Sequence, residues 1–200
     1  KVRNYSTTYG NIIDMIIGLS GTLSSGKDTL ANYLQEKYGL MHISTGDIVR
    51  EIAEVQRGSV ERPVLFDVGN ELRHAYGGGV LVERALDRYQ NSIRTYAGVV
   101  ITGIRSLAEA KVVKDKGGTI IFVDAPVQLR YERMQSRHRD GEARISLEAF
   151  KEREKKELSS GVSDADFNIS QIGQMADITL QNAGTLDELY HSAEKALLLA

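Results

Sequence analysis

The chain has no cysteine among its 200 residues. Disulfides and thiolate-held metals are therefore impossible, and a secreted disulfide scaffold is excluded. No apolar run approaches the ~18 residues of a membrane-crossing helix, so no membrane association is expected. No apolar signal region stands near the first residue, which makes the cytoplasm the expected location. The formal net charge is −2. A general basic surface for nucleic acid is thus missing, and no nucleic-acid partner is expected, although a local basic site is still allowed. Internal repeats and low-complexity stretches are absent. His42, His74, His138 and His191 show no metal-ligand spacing and no Ser/His/Asp arrangement, and read as surface or packing residues.

What is present fits one domain. Its apolar fraction of 42% supports a core. Residues 1–14 are polar and read as an N-terminal extension before a domain over 15–200. Short apolar runs alternate with helical patterns, as in an α/β fold with a parallel sheet. The runs predict strands at Met15–Leu19, Met41–Ile43, Val99–Thr102, Thr119–Val123 and Ile178–Leu180. Helices are predicted at 27–38, 45–57, 64–76, 80–92, 107–116, 126–137, 147–158 and 186–198. Ser106 with Glu109, and Thr185 with Glu188, have capping-box spacing. Three helices between two strands, over 45–94, are too much for one crossover and read as a helical insert. The polar stretch 138–145 reads as a short lid.

The run Gly21-Thr22-Leu23-Ser24-Ser25-Gly26-Lys27 follows the first strand and opens a helix. Strand, glycine-rich turn and helix, in that order, form the context of a phosphate-binding P-loop. Backbone N–H groups and the positive helix terminus suit a polyphosphate there. Gly21, Ser24, Ser25, Gly26, Lys27, Asp28 and Thr29 are the candidate ATP-binding residues. The usual Ser or Thr after the lysine is replaced by Asp28, a hard oxygen donor suited to Mg²⁺. Asp28 is the candidate metal ligand, with Thr29 on a phosphate.

Arginine density is the second signal. Arg130, Arg133, Arg137, Arg139 and Arg144 fall within fifteen positions, where 25 Lys plus Arg in 200 residues would place about two basic residues. Arg130, Arg133 and Arg137 share a helical face at i, i+3 and i+7. Guanidinium groups match the charge spread over a transferring phosphoryl group.

Ile43-Ser44-Thr45-Gly46-Asp47-Ile48-Val49-Arg50 and Val99-Val100-Ile101-Thr102-Gly103-Ile104-Arg105 complete the pattern. Together with the P-loop they resemble adenylate kinase and related P-loop nucleoside monophosphate kinases. The resemblance extends at superfamily level over residues 15–198. It implies a three-layer α/β P-loop NTP hydrolase fold, with a five-stranded parallel sheet and helices on both faces. It also implies an acceptor-binding insert at 45–94 and a short lid at 138–145. ATP would be the donor, with Mg²⁺, and the partner a small phosphorylated acceptor of the nucleoside monophosphate type. Thr45, Arg50, Arg105 and Arg137 would hold the acceptor, while Lys27, Arg133 and Arg137 neutralise charge in catalysis. Where the family usually has Asp, this chain has Thr102, and Asp28 would compensate.

The segment Ala176 to Leu189 instead resembles dephospho-CoA kinases, which implies Asn182 and Gly184 beside the donor adenine. In those enzymes an Asp acts as base toward a ribose hydroxyl, and Asp47 matches it. A third reading is a nucleotide-binding sensor without turnover. An Asn-Lys-x-Asp guanine motif is absent, which disfavours a GTPase-type switch. Acceptor identity, ATP against GTP preference and oligomeric state are left open by the sequence.

Overall fold

The computed structural model of the chain describes residues 15–136, 145–158 and 163–199. Five strands form one sheet: β1 (Met15–Gly21), β2 (Met41–Ser44), β3 (Gly98–Thr102), β4 (Thr119–Asp124) and β5 (Ile178–Gln181). Their spatial order is β2-β3-β1-β4-β5, and every neighbouring pair is parallel. Parallel strands need crossover connections, and helices supply them here. These are α1 (Lys27–Tyr38), α2 (Thr45–Arg57), α3 (Arg62–Tyr76), α4 (Val80–Gln90), α5 (Leu107–Asp115), α6 (Val127–Ser136), α7 (Leu147–Leu158), α8 (Ile169–Met175) and α9 (Leu186–Leu197).

Side-chain alternation sorts the strands' residues onto two cores. Ile17 and Leu19 of β1, Val100 of β3 and Ile121 of β4 pack with Leu30 and Leu34 of α1 and Leu189 of α9. On the other face Val99, Ile101 and Ile120 meet α2, α3, α4 and α5. The interiors of β1, β3 and β4 are therefore buried on both sides, as central parallel strands require, while the edge strands β2 and β5 are partly exposed.

Helix limits follow local chemistry. Both capping boxes are formed: Ser106 and Thr185 each accept from the backbone N–H of the residue three along, and Glu109 and Glu188 reach back. Gly39 stops α1 in a left-handed conformation at φ 68°. α3 begins two residues earlier than the apolar spacing predicts, because Pro63 is pre-set for a first turn. α8 was not predicted at all. It spans seven residues, too few for a periodic signal. It is held by the Asn168 cap, and by Gly173 packing close against the Phe122 ring.

Three helices, α2 to α4, do stand between β2 and β3. The stretch read as a lid lies outside the described residues, except Ile145, as does the 1–14 extension. Among the described residues no helix is long and apolar enough to cross a membrane.

Candidate functional site

β1, β2 and β3 end at the same edge of the sheet, where Leu19 registers with Thr102, and Ser44 also registers with Thr102. Everything that follows a strand end is thus brought together. Ligands of open α/β sheets bind at this carboxyl edge.

After β1 the chain turns through Gly21–Gly26 into α1. Ser24 adopts φ 60° and Gly26 φ 97°. Gly26 is the N-cap of α1, and a Cβ there would lie 2.4 Å from Asn182 Nδ2. Asn182 itself is buried and donates Nδ2 to the Ser25 carbonyl at 2.8 Å. Arg133 donates Nη2 to the Asn182 carbonyl at 3.0 Å and to its Oδ1 at 3.3 Å. Asn182 thus joins the loop after β5 to the phosphate loop and to α6. Gly184 does not reach the loop: its nearest neighbours are atoms of the Glu188 carboxylate, inside the α9 capping box.

Three buried side-chain polar atoms have no partner among the described residues: Ser24 Oγ, Ser25 Oγ and Arg133 Nη1. All three belong to this small region. Buried polar groups are normally satisfied, and each orphan calls for an explanation, of which a bound ligand is one. Burial also lowers the pKa of the Arg133 guanidinium. A phosphate would relieve both conditions.

Lys27, Asp28 and Thr29 form the first turn of α1, with Thr29 exposed. Among the described residues no three His, Cys, Asp or Glu could hold a metal by themselves. Mg²⁺ in phosphoryl-transfer sites needs only one or two carboxylates, because the nucleotide phosphates complete its shell. Asp28 fits that limited role. Thr102 is buried, and its hydroxyl lies 3.1 Å from His42 Nε2, while His42 Nδ1 lies 2.9 Å from Asn32 Oδ1. With Asn32 as acceptor, the proton sits on Nδ1 and Thr102 donates to Nε2. Burial lowers the His42 pKa, opposed by the nearby charges of Asp28 and Asp47. His42 therefore knits α1, β2 and β3 together beneath the site, which its sequence context did not signal.

The arginine row is split. Arg130 is buried. Its Nε donates to the Ala125 carbonyl at 2.6 Å, Nη1 donates to the Leu23 carbonyl at 3.2 Å, and both η nitrogens bond Glu154 of α7. A guanidinium so committed is structural, and its face lies over the Phe150 ring. The expectation of one catalytic face shared by Arg130 and Arg133 is corrected accordingly. Arg137, Arg139 and Arg144 lie outside the described residues.

On the other side of the edge lies a cavity of about 220 Å³. Val49, Leu65, Phe66, Leu81 and Phe167 form its apolar wall, and Arg50, Arg62, Arg73, Arg105, Arg153 and Lys156 its cationic one. Thr45 lines it too, donating its hydroxyl to the Gly103 carbonyl at 2.9 Å. Gly103 has φ 86°, and a Cβ there would stand 2.5 Å from Thr45 Oγ1. Arg50 pairs with Asp47 at 2.5 Å, so the carboxylate read as a possible base is held by an arginine. Glu109 is central: Oε1 accepts from Arg73 Nη2 at 2.9 Å, and Oε2 from the Arg105 backbone N–H at 2.7 Å. The Phe167 ring lies between the Arg73 and Arg105 guanidinium groups, 5.0 and 5.4 Å from its centroid. Val80 and Leu86 are packing residues in the core, whereas Leu81 faces the cavity.

Sequence reasoning thus named Thr45, Arg50 and Arg105, and the structure gathers them around one cavity. It missed Arg62, Lys156 and Phe167, and saw Glu109 only as a cap. Their pairings span tens of residues and leave no local pattern.

Comparison with known proteins places the chain. The model of the AAA domain family matches residues 17–157. A UPF0200 protein of Thermococcus sibiricus is 31% identical over 186 residues, covering 90% of this chain and 93% of that protein. A UPF0200/UPF0201 protein of Archaeoglobus fulgidus is 30% identical over 186 residues, and the chain spans 55% of its length. Among solved structures, TT1252 of Thermus thermophilus superposes with a TM-score of 0.59 at 22% identity, covering 93% of this chain and 97% of that one. Shikimate kinase of Aquifex aeolicus superposes with a TM-score of 0.54 at 21% identity, covering 92% and 96%. These structures share the fold.

Proposed function

The chain belongs to the AAA-domain family and to the UPF0200 family, and from that premise we propose that it is an ATP-dependent phosphotransferase acting on a nucleoside monophosphate. The observation that carries the reading is the clustering of the orphaned Ser24 Oγ, Ser25 Oγ and Arg133 Nη1 at the phosphate loop, on the same sheet edge as a cationic cavity.

ATP binds with its phosphates in the Gly21–Thr29 turn, where backbone N–H groups and the α1 terminus meet them. Lys27 and Arg133 neutralise charge on the transferring group. Asp28 would hold Mg²⁺ together with the nucleotide, and the ion would supply charge neutralisation to the donor phosphates. Thr45, Arg50 and Arg105 fix the acceptor phosphate in line. The cavity of about 220 Å³ is smaller than the ~300–1,000 Å³ that encloses whole drug-sized ligands. It encloses the phosphorylated end of the acceptor and leaves the rest at the mouth. An acceptor phosphate is already ionised at neutral pH, so no base is required. Asp47, committed to Arg50, then serves as a positioning group.

The test is ADP release from Mg-ATP across ribo- and deoxynucleoside monophosphates and dephospho-CoA. Strong turnover with one monophosphate, reduced about 10²–10³-fold in Lys27→Ala, is the expected result. Turnover only with dephospho-CoA, with Asp47→Asn losing about 10²–10⁴ in rate, would transfer the reaction to a ribose hydroxyl. ATP binding without turnover on any acceptor would make the protein a sensor.

A further inference from the structure

The cavity's charges do not balance within the fold. Three of its cations have carboxylates of their own: Arg50 has Asp47, Arg62 has Glu157, and Arg73 has Glu109. Arg105, Arg153 and Lys156 have no carboxylate partner among the described residues, and Arg105 meets only the Phe167 ring through its side chain. These three stand on different elements. Arg105 follows β3, beside Thr45. Arg153 and Lys156 lie on α7, spaced i and i+3 along one face.

α7 is held firmly at both of its buried glutamates. Glu154 bonds Arg130, which in turn bonds the Leu23 carbonyl of the phosphate loop. Glu157 pairs with Arg62 of α3. Arg153 and Lys156 immediately precede these anchors, so packing fixes the backbone that carries them, while Arg153 is half-buried and Lys156 exposed at the cavity. No residue of the Gly21–Thr29 loop lines the cavity. The two unmatched cations on α7 therefore share a cavity with Arg105 and not with the phosphate loop.

We propose that the ligand of this cavity carries two separated anionic groups, one met by Arg105 and a second met by Arg153 and Lys156. The inference rests on reading the cavity as the acceptor site. It narrows the acceptor to molecules with a further phosphate or carboxylate beyond the group that receives the phosphoryl. Among nucleoside monophosphates it favours those whose base or sugar carries such a group.

The test is equilibrium binding without ATP, so that it does not depend on turnover. Titration calorimetry would compare methylphosphonate with a series of α,ω-alkane bisphosphonates of increasing length. At one length the bisphosphonate should bind at least about tenfold tighter than methylphosphonate. The double variant Arg153→Ala/Lys156→Ala should remove that advantage, bringing the bisphosphonate down to the affinity of methylphosphonate. Arg105→Ala should weaken both ligands. Equal affinity across the series, no binding at all, or an unchanged advantage in the double variant would each overturn the inference. Raising salt should weaken the bisphosphonate more steeply than the monophosphonate, and parallel slopes would count against two loci. The phosphotransferase reading is judged separately, by ADP release, and survives a failure here.

Discussion

Replacing Arg130 by Ala should destabilise the protein far more than replacing any exposed arginine. Arg130 is 5% exposed and Glu154 9% exposed. The guanidinium has four acceptors: the Ala125 carbonyl at 2.6 Å, the Leu23 carbonyl at 3.2 Å, and the two Glu154 oxygens. Removing it leaves the Glu154 carboxylate buried without a partner among the described residues, which costs about 3–5 kcal/mol. In a chain of this length one kcal/mol shifts the melting temperature by about 2–4 °C, so a fall of roughly 6–20 °C is expected. Glu154→Ala should cost less, because the stranded guanidinium keeps both carbonyls. The apolar double variant Arg130→Met/Glu154→Leu should recover most of the loss, since a buried pair is often replaceable by packing. Thermal unfolding followed by circular dichroism measures all three. The double variant should also keep kcat within about tenfold, whereas Arg133→Ala falls about 10²–10³-fold. A drop under about 2 °C for Arg130→Ala, or simple additivity of the two single losses, would refute the reasoning.

Further outcomes follow from other parts of the site. Gly26→Ala should weaken ATP at least about tenfold by calorimetry, since the new methyl meets Asn182 Nδ2 at 2.4 Å in a left-handed turn; unchanged affinity would mean that the loop relaxes freely. Asp28→Ala should raise the Mg²⁺ concentration needed for half-maximal activity, and an unchanged requirement would remove Asp28 as the metal's ligand. At the far end of α1, Lys37, Tyr33 and Tyr38 all donate to Glu194 and hold its carboxyl at about 2, below the ordinary 4.5. A depressed folded pKa contributes stability that is full above pH 4.5 and lost as pH falls toward 2. Denaturant unfolding across that window should show the loss in the wild type and a flatter profile in Glu194→Gln; matching profiles would contradict it.

The legible parts of this molecule were those written in contiguous residues. The phosphate loop is a seven-residue string between a strand and a helix, so type and place follow together. The strands alternate between two apolar faces and announce a buried parallel sheet. Both capping boxes are four-residue patterns. The pairings that decide what each arginine does are different in kind. Arg130 and Arg133 are three residues apart on one helix, and helical geometry alone gives them one role. Their separate roles come from Glu154 and Asn182, which packing places against one and not the other. Likewise Arg73 becomes a cavity residue only because Glu109 lies across from it. Thr102 reads as a missing acid because the resembled kinases usually carry Asp there, and its contact with His42 of another strand leaves no local signal.

α7 ties two parts of the site to one rigid body. Through Glu154 and Arg130 it reaches Leu23 in the phosphate loop, and through Glu157 and Arg62 it reaches α3 at the cavity. The two anchors are less than one helical turn apart, so the helix cannot shift at one without shifting at the other. Under the proposed reading, occupancy on either side should bias the same element, and the two affinities should be thermodynamically linked. Such linkage is reciprocal: whatever factor a bound nucleotide contributes to the cavity ligand, the cavity ligand returns to the nucleotide.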